Sequence, residues 1–168
     1  MLWTTVLQTP IAQNPFTGGS PCVALGRTLA PFGGASDKSC TVKPGTNIFV
    51  AASSVECSNV EDPPFFGEDE PQLRACAKRE DVKVAPIVTV DGKSVPVTEV
   101  ETPLLNIDLP KDNIFGKPEG TQGLSVGHGW VTLLHPLTPG THTIVITGAV
   151  LPGTFTTTIN VVQPGHEV

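Results

Sequence analysis

Tyrosine is absent from this chain and methionine occurs once, so seven phenylalanines and two tryptophans supply all the aromatic rings. Carbohydrate-stacking and antibody-like contact surfaces use such rings freely, and both are disfavoured here. Charge is scarce at 15% of residues, and acids outnumber Lys and Arg by 16 to 10, leaving a net charge of −6. A nucleic-acid backbone needs clustered cations, so no nucleic-acid partner is expected. No apolar run approaches the length of a membrane-crossing helix, and no membrane span is expected. The opening Met-Leu-Trp-Thr-Thr-Val-Leu is too short for a signal peptide and lacks its basic flank. Met1 is therefore read as an added start on a mature, exported protein.

Turn-forming residues are plentiful. Proline and glycine number 17 each, about a fifth of the 168 residues, which favours many turns over long helices. The length fits a single domain over residues 1–168 and can bury a real core. Cys22, Cys40, Cys57 and Cys76 form an even set of four, the arithmetic of a disulfide framework in an oxidising compartment, secreted, extracellular or periplasmic. Were Met1 native, the cysteines would need another account, such as a metal site. Four cysteines permit three pairings. Cys22–Cys40 with Cys57–Cys76 closes two loops of moderate length and is the expected one.

Short apolar alternations broken by Gly, Pro, Asn and Asp recur from end to end. They predict a mainly β fold, an antiparallel β-sandwich of about seven to nine strands with one short helical, disulfide-bounded insertion over 57–81. Leu2 to Leu7 reads as a first strand, followed by a turn-rich passage from Pro10 to Ser39. Thr46 to Ala52 reads as a buried strand leading into Cys57. Val82 to Val90 and Lys93 to Val97 flank Asp91-Gly92, which supplies the positive φ angles of a two-residue hairpin turn. Leu104 to Leu109 predicts another strand. A second hairpin is expected from Gly129 to Leu137 and Thr141 to Thr147 around Thr138-Pro139-Gly140, with Thr154 to Val162 as the closing strand. The one helix opens at Glu70-Pro71, where a missing N–H costs nothing. Glu68, Asp69 and Glu70 sit at its positive end, and Lys78 and Arg79 at its negative end. Leu73, Cys76 and Ala77 share the face turned toward the protein.

Several constellations invite a chemical reading, and each has a plainer one. Gly123-Leu-Ser-Val-Gly127 spells G-x-S-x-G and is followed by His128. A nucleophile elbow needs a strand-to-helix turn, whereas Gly-Trp-Val-Thr-Leu-Leu follows here. A flexible loop entering a strand is expected, with Ser125 and His128 as the catalytic candidates of the alternative, an extracellular hydrolase. His128, His135 and His142 recur every seven residues and could bind zinc or copper if they converged. Strand alternation puts them on opposite faces. The acids Glu56, Glu61, Asp62, Glu68, Asp69 and Glu70 could hold calcium in a calcium-stabilised adhesion module, with Glu61, Asp62, Glu68 and Asp69 as the candidate ligands. No EF-hand spacing appears, and helix-end electrostatics account for Glu68 to Glu70. No cofactor is expected, calcium being the one alternative. Asp108, Asp112 and Asn113 read as turn residues.

Phe65-Phe66 lies among the acids between Cys57 and Cys76. Exposed phenylalanine pairs are rare on monomers, so the pair is expected to be buried, seating the helix. Exposed, it would mark a binding site for a protein partner or for self-association. Cys40-Thr-Val-Lys-Pro-Gly-Thr-Asn-Ile-Phe-Val, the Glu56–Ala77 segment, Asp112-Asn-Ile-Phe-Gly and the Gly129–Ile144 segment together resemble a group of exported bacterial proteins with no established function. The chain departs from that group in lacking aromatics near the last hairpin, where Val131 and Ile146 stand. The resemblance implies export and a single domain, and supplies no catalytic residue. With no convergent nucleophile, base or metal cluster, the expected function is that of a secreted or cell-envelope binding or structural β-sandwich. Its contact surface is expected on the Cys57–Cys76 insertion or an exposed edge strand.

Overall fold

Leu2 with Val6 and Trp3 with Leu7 form two i, i+4 pairs, and this segment folds as a helix, α1 (Leu2–Leu7), rather than the strand its sequence suggests. The computed structural model describes residues 1–163 and Gly165. The passage read as turns carries the hairpin β1 (Cys22–Leu25) and β2 (Thr28–Pro31), then β3 (Asp37–Val42). The buried strand before the insertion runs further than its apolar core, as β4 (Asn47–Ser58). Helix α2 (Glu70–Glu80) follows, with the Asp69 side chain accepting from the Gln72 amide as its N-cap and Lys78 and Arg79 in its last turn.

Strands β5 (Ile87–Val90) and β6 (Lys93–Val95) pair around Asp91 and Gly92, both at positive φ (49° and 77°), as the Asp-Gly turn requires. Then come β7 (Thr98–Glu101), β8 (Leu105–Asp108), β9 (Gln122–Leu134), β10 (Gly140–Thr147) and β11 (Thr154–Val161). The Gly-rich passage expected as a loop is thus the first half of β9. Its glycines have a packing reason: a Cβ on Gly123 would stand 2.9 Å from Val60 and 3.0 Å from Ile107.

The fold is mainly β, in two sheets. The first has the order β1-β2-β4-β9-β7, with β8 also paired to β9, and the second the order β3-β11-β10-β5-β6. Two departures from the expected antiparallel sandwich are clear: the described residues form eleven strands, and both sheets are mixed, because β2–β4 and β3–β11 are parallel. The second hairpin does not form. Pro136 and Pro139 interrupt the chain after β9, which crosses to the other sheet, where β10 pairs with β11 and β5.

The two sheets share a core in which Ile48, Val50 and Ala52 of the first meet Val88, Ile144, Ile159 and Val161 of the second. On the same side of the first sheet, α2 covers its far end through Leu73, Cys76 and Ala77 against Cys57 and Val126. Helix α1 lies on the opposite face, over Ala30, Phe32 and Phe49. Disulfide Cys22–Cys40 joins β1 to β3, the outermost strands of the two sheets, and Cys57–Cys76 fastens α2 to β4. Replacing Cys57 and Cys76 together by alanine is expected to lower the unfolding free energy by about 3 kcal/mol, the loop-closure value for a separation of this size. Denaturant midpoints of the variant measure it.

Candidate functional site

Between α1 and the open part of the first sheet runs a groove of about 390 Å³. Its floor is the outward set of alternating positions on the sheet: Phe49 and Ala51 of β4, Val131 and Leu133 of β9, Val100 of β7, with Leu25 and Thr28 at the β1–β2 end. Trp3 of α1 forms one wall. Gly127 lets that ring lie against β9, since a Cβ there would stand 2.5 Å from Trp3 Cδ1. The ring is held from behind by Phe32, edge-on at 5.2 Å, and Phe16, stacked at 6.2 Å. Leu133 (53% exposed) and Val100 (39%) stand open to solvent on the far rim.

Three polar side chains of the groove are engaged within the protein. Trp3 Nε1 donates to Ser54 Oγ at 2.8 Å, and Ser54 Oγ donates to the His128 carbonyl at 2.9 Å. Thr102 Oγ1 accepts from the Gly127 amide at 2.9 Å. No Asp, Glu, Lys or Arg side chain lines it.

Behind the floor, on the α2 side, lies a buried polar chain. His128 Nδ1 meets Asp81 Oδ2 at 2.8 Å, and Nε2 meets Glu99 Oε1 at 2.9 Å. Asp81 Oδ1 accepts from Ser53 Oγ at 2.6 Å and from the Val82 amide at 2.8 Å. Ser53 Oγ in turn accepts from the Val150 amide at 3.1 Å. The hydrogen bond from His128 holds the Glu99 carboxyl below the usual carboxylate range, with Lys78 adding to it. These residues come from β4, the end of α2, β7, β9 and the β10–β11 connection, so the chain of bonds fastens α2 to the sheet.

A second buried cluster lies on the α1 side of the same strands. Ser125 Oγ donates to Glu56, and Ser58 Oγ donates to Glu61 Oε2 at 2.8 Å. Burial raises Glu56 well above the ordinary carboxylate value, and the neighbouring Glu61 carboxyl reinforces this. Glu61 is also raised by burial.

The candidate residues read from sequence are therefore dispersed. Ser125 and His128 sit on opposite faces of β9, one bonded to Glu56 and the other to Asp81 and Glu99, so they form no nucleophile–base pair. His142 hydrogen-bonds Asp91 at 2.7 Å, which raises it above the ordinary imidazole value, and His135 is exposed elsewhere. Of the acids, Asp69 caps α2, Glu68 lies beside it, Asp62 sits in the preceding loop, and Glu61 faces Glu56. Among the described residues no group of three or more His, Cys, Asp or Glu is arranged to hold a metal ion. Asn113 does act as a turn residue, its amide bonding Pro110 and Lys117 carbonyls and its Oδ1 accepting from the Phe115 and Lys117 amides. Phe65 and Phe66 are each 38% exposed, not buried. The loop is anchored by its backbone instead, where Ser58 N donates to Phe65 O at 3.0 Å, so the rings are not needed as a plug. Compared with family models, curated proteins and solved structures, the chain finds no match.

Two measurements follow from the buried clusters. His128→Leu removes the partner of buried Asp81 Oδ2 and is expected to cost about 2 kcal/mol in denaturant unfolding, whereas Glu99→Gln, at the exposed end, costs little. Glu56 titrates higher folded than unfolded, so its contribution is complete below the ordinary carboxylate range and is lost as pH rises through the raised value. Glu56→Gln is therefore expected to flatten the fall in melting temperature over that rise.

Proposed function

We propose that this protein is a secreted or cell-envelope binding module, a bacterial β-sandwich that binds an apolar ligand in the groove beneath α1 and does no chemistry on it. The observation that carries the reading is a half-enclosed apolar groove with solvent-exposed Val100 and Leu133 on its rim. Ligand pockets of a few hundred Å³ with mostly apolar walls are the common form of a small-molecule site. Two disulfides and no free cysteine support export to an oxidising compartment. Ser125 donates to Glu56 while His128 is engaged by Asp81 and Glu99 on the other face of β9, and this separation of serine from imidazole supports binding over hydrolysis.

Edge-strand addition is the less favoured mode. The exposed edge β7 carries Glu99 and Glu101, which face Lys78 and Arg74 of α2, and such charges deter strand pairing. The edges β1 and β3 are tied to each other by Cys22–Cys40.

Nile red titrated into the purified protein is expected to shift to the blue and saturate at one site per chain. Val100→Glu and Leu133→Glu, both at exposed positions that tolerate charge, are expected to weaken that binding at least tenfold, while alanine at Phe65 and Phe66 leaves it unchanged. Absence of saturable binding, or binding indifferent to the two glutamates, would count against the groove. Loss of binding in the phenylalanine variants would return the site to the insertion.

A further inference from the structure

We infer that the occupant of the groove is one unbranched hydrocarbon chain, the tail of a monomeric amphiphile such as a fatty acid, with its head group left in solvent. The inference rests on the apolar-ligand reading above and narrows it.

Shape argues for a chain. The groove crosses the sheet from Leu25 on β1, over Phe49 and Val131, to Val100 on β7, a path of five adjacent strands. At about 4.8 Å between strands this is a trench roughly 19 Å long. Its lining shifts along β9 from Leu133 to Gly127 as it crosses the strands, so the trench runs diagonally over the sheet and is open along one side. A flexible methylene chain fills such a trench from end to end, whereas a rigid fused-ring ligand would fill one part and leave the remainder wet.

Charge complementarity argues that the buried part is a plain hydrocarbon. Three polar side chains at the Trp3 end of the groove are engaged within the protein: Trp3 Nε1 and Ser54 Oγ with each other and with the His128 carbonyl, and Thr102 Oγ1 with the Gly127 amide. A ligand carbonyl, amide or ionised group placed on the floor formed by Phe49, Ala51, Val131 and Leu133 would lose water and gain no side-chain partner there, at a cost of order 2 kcal/mol or more. Of the ionisable side chains adjoining the lining in sequence, Glu99 and Glu101 alternate to the other face of β7 and are paired with His128, Lys78 and Arg74, and the exposed Arg27 beside Thr28 lies outside the lining. A chain without polar atoms meets no such penalty, and each methylene that leaves water gains by the transfer term alone.

The test is displacement of Nile red by saturated fatty acids of increasing length, each below its micelle concentration, alongside the matching neutral alcohols, a sterol and phosphatidylcholine vesicles. Affinity is expected to rise about fourfold per methylene, then level off once the trench is full. Acid and alcohol of equal length are expected to bind within about twofold of each other, because no charged side chain lines the groove to read the head group. The leverage of length should vanish in Leu133→Glu. Saturable Nile red binding displaced by the sterol and not by the linear chains would overturn this inference while leaving the apolar-ligand reading intact. A strong preference for acid over alcohol would overturn the unread head group. Sedimentation of the protein with vesicles, without uptake of monomeric chains, would overturn the monomeric occupant. Failure of Nile red itself to bind would remove both this inference and the reading beneath it.

Discussion

The ladder between β4 and β9 contains one extra residue, Ala52, between the pairs Ala51–Val131 and Ser53–Trp130, and that slip decides which side chain meets which partner. Before it, Ile48, Val50 and Ala52 point into the core shared by the two sheets. Without the bulge, strict alternation would carry Ser54, Glu56 and Ser58 onto that same inner side. With it, Ser53, Val55 and Cys57 turn inward. Ser53 then reaches Asp81, and Cys57 reaches Cys76, so α2 can dock. The outward side receives Ser54, which binds Trp3, and Glu56, which binds Ser125. Both helices are placed by one inserted residue.

The apolar floor of the groove comes from the outward positions before the slip, Phe49 and Ala51, with Val131 and Leu133 beside them, whereas the slip supplies the polar Ser54 at the wall. Ser54 ties Trp3 to β9, and Gly127 and Gly129 keep β9 bare enough for the ring and for β4 to approach. A Cβ on Gly129 would stand 2.8 Å from the Ser53 carbonyl, so the close approach requires glycine. The buried acids, meanwhile, are satisfied within the protein, since among the described residues every buried side-chain nitrogen and oxygen has a partner. Chemistry that looks available in the sequence is consumed in holding the strands and helices together. What stays unpartnered is hydrocarbon surface.

Much of this fold is legible in the amino-acid sequence. The Asp-Gly turn, α2 with its acidic start and basic end, and both disulfide pairings follow from local rules, because turn geometry, helix dipoles and loop lengths act over short separations. Helix α1 is not legible, since Leu-Trp-Thr-Thr-Val-Leu is too short to separate a period of 2 from one of 3.6. The crossing after β9 escapes a local reading because Thr-Pro-Gly makes a turn whether its flanks share a sheet or not. The two parallel pairings and the bulge depend on contacts distant in the sequence. The groove is the least visible of all: its residues come from one helix and five strands, and each alone reads as an ordinary strand position. Glycine at 127 and 129 beside Trp130 is the one local hint that something large lies against β9.

The chain holds two tryptophans, and they report on opposite faces of the sheet: Trp3 lines the groove, while Trp130 donates to the Val82 carbonyl on the α2 side. The most direct measurement is quenching by a fatty acid carrying bromine on its chain, made separately in Trp130→Phe, where only Trp3 emits, and in Trp3→Phe, where only Trp130 emits. Occupation of the groove requires strong, saturable quenching of Trp3 with Trp130 little affected. Equal quenching of both, or quenching of Trp130 alone, would contradict it.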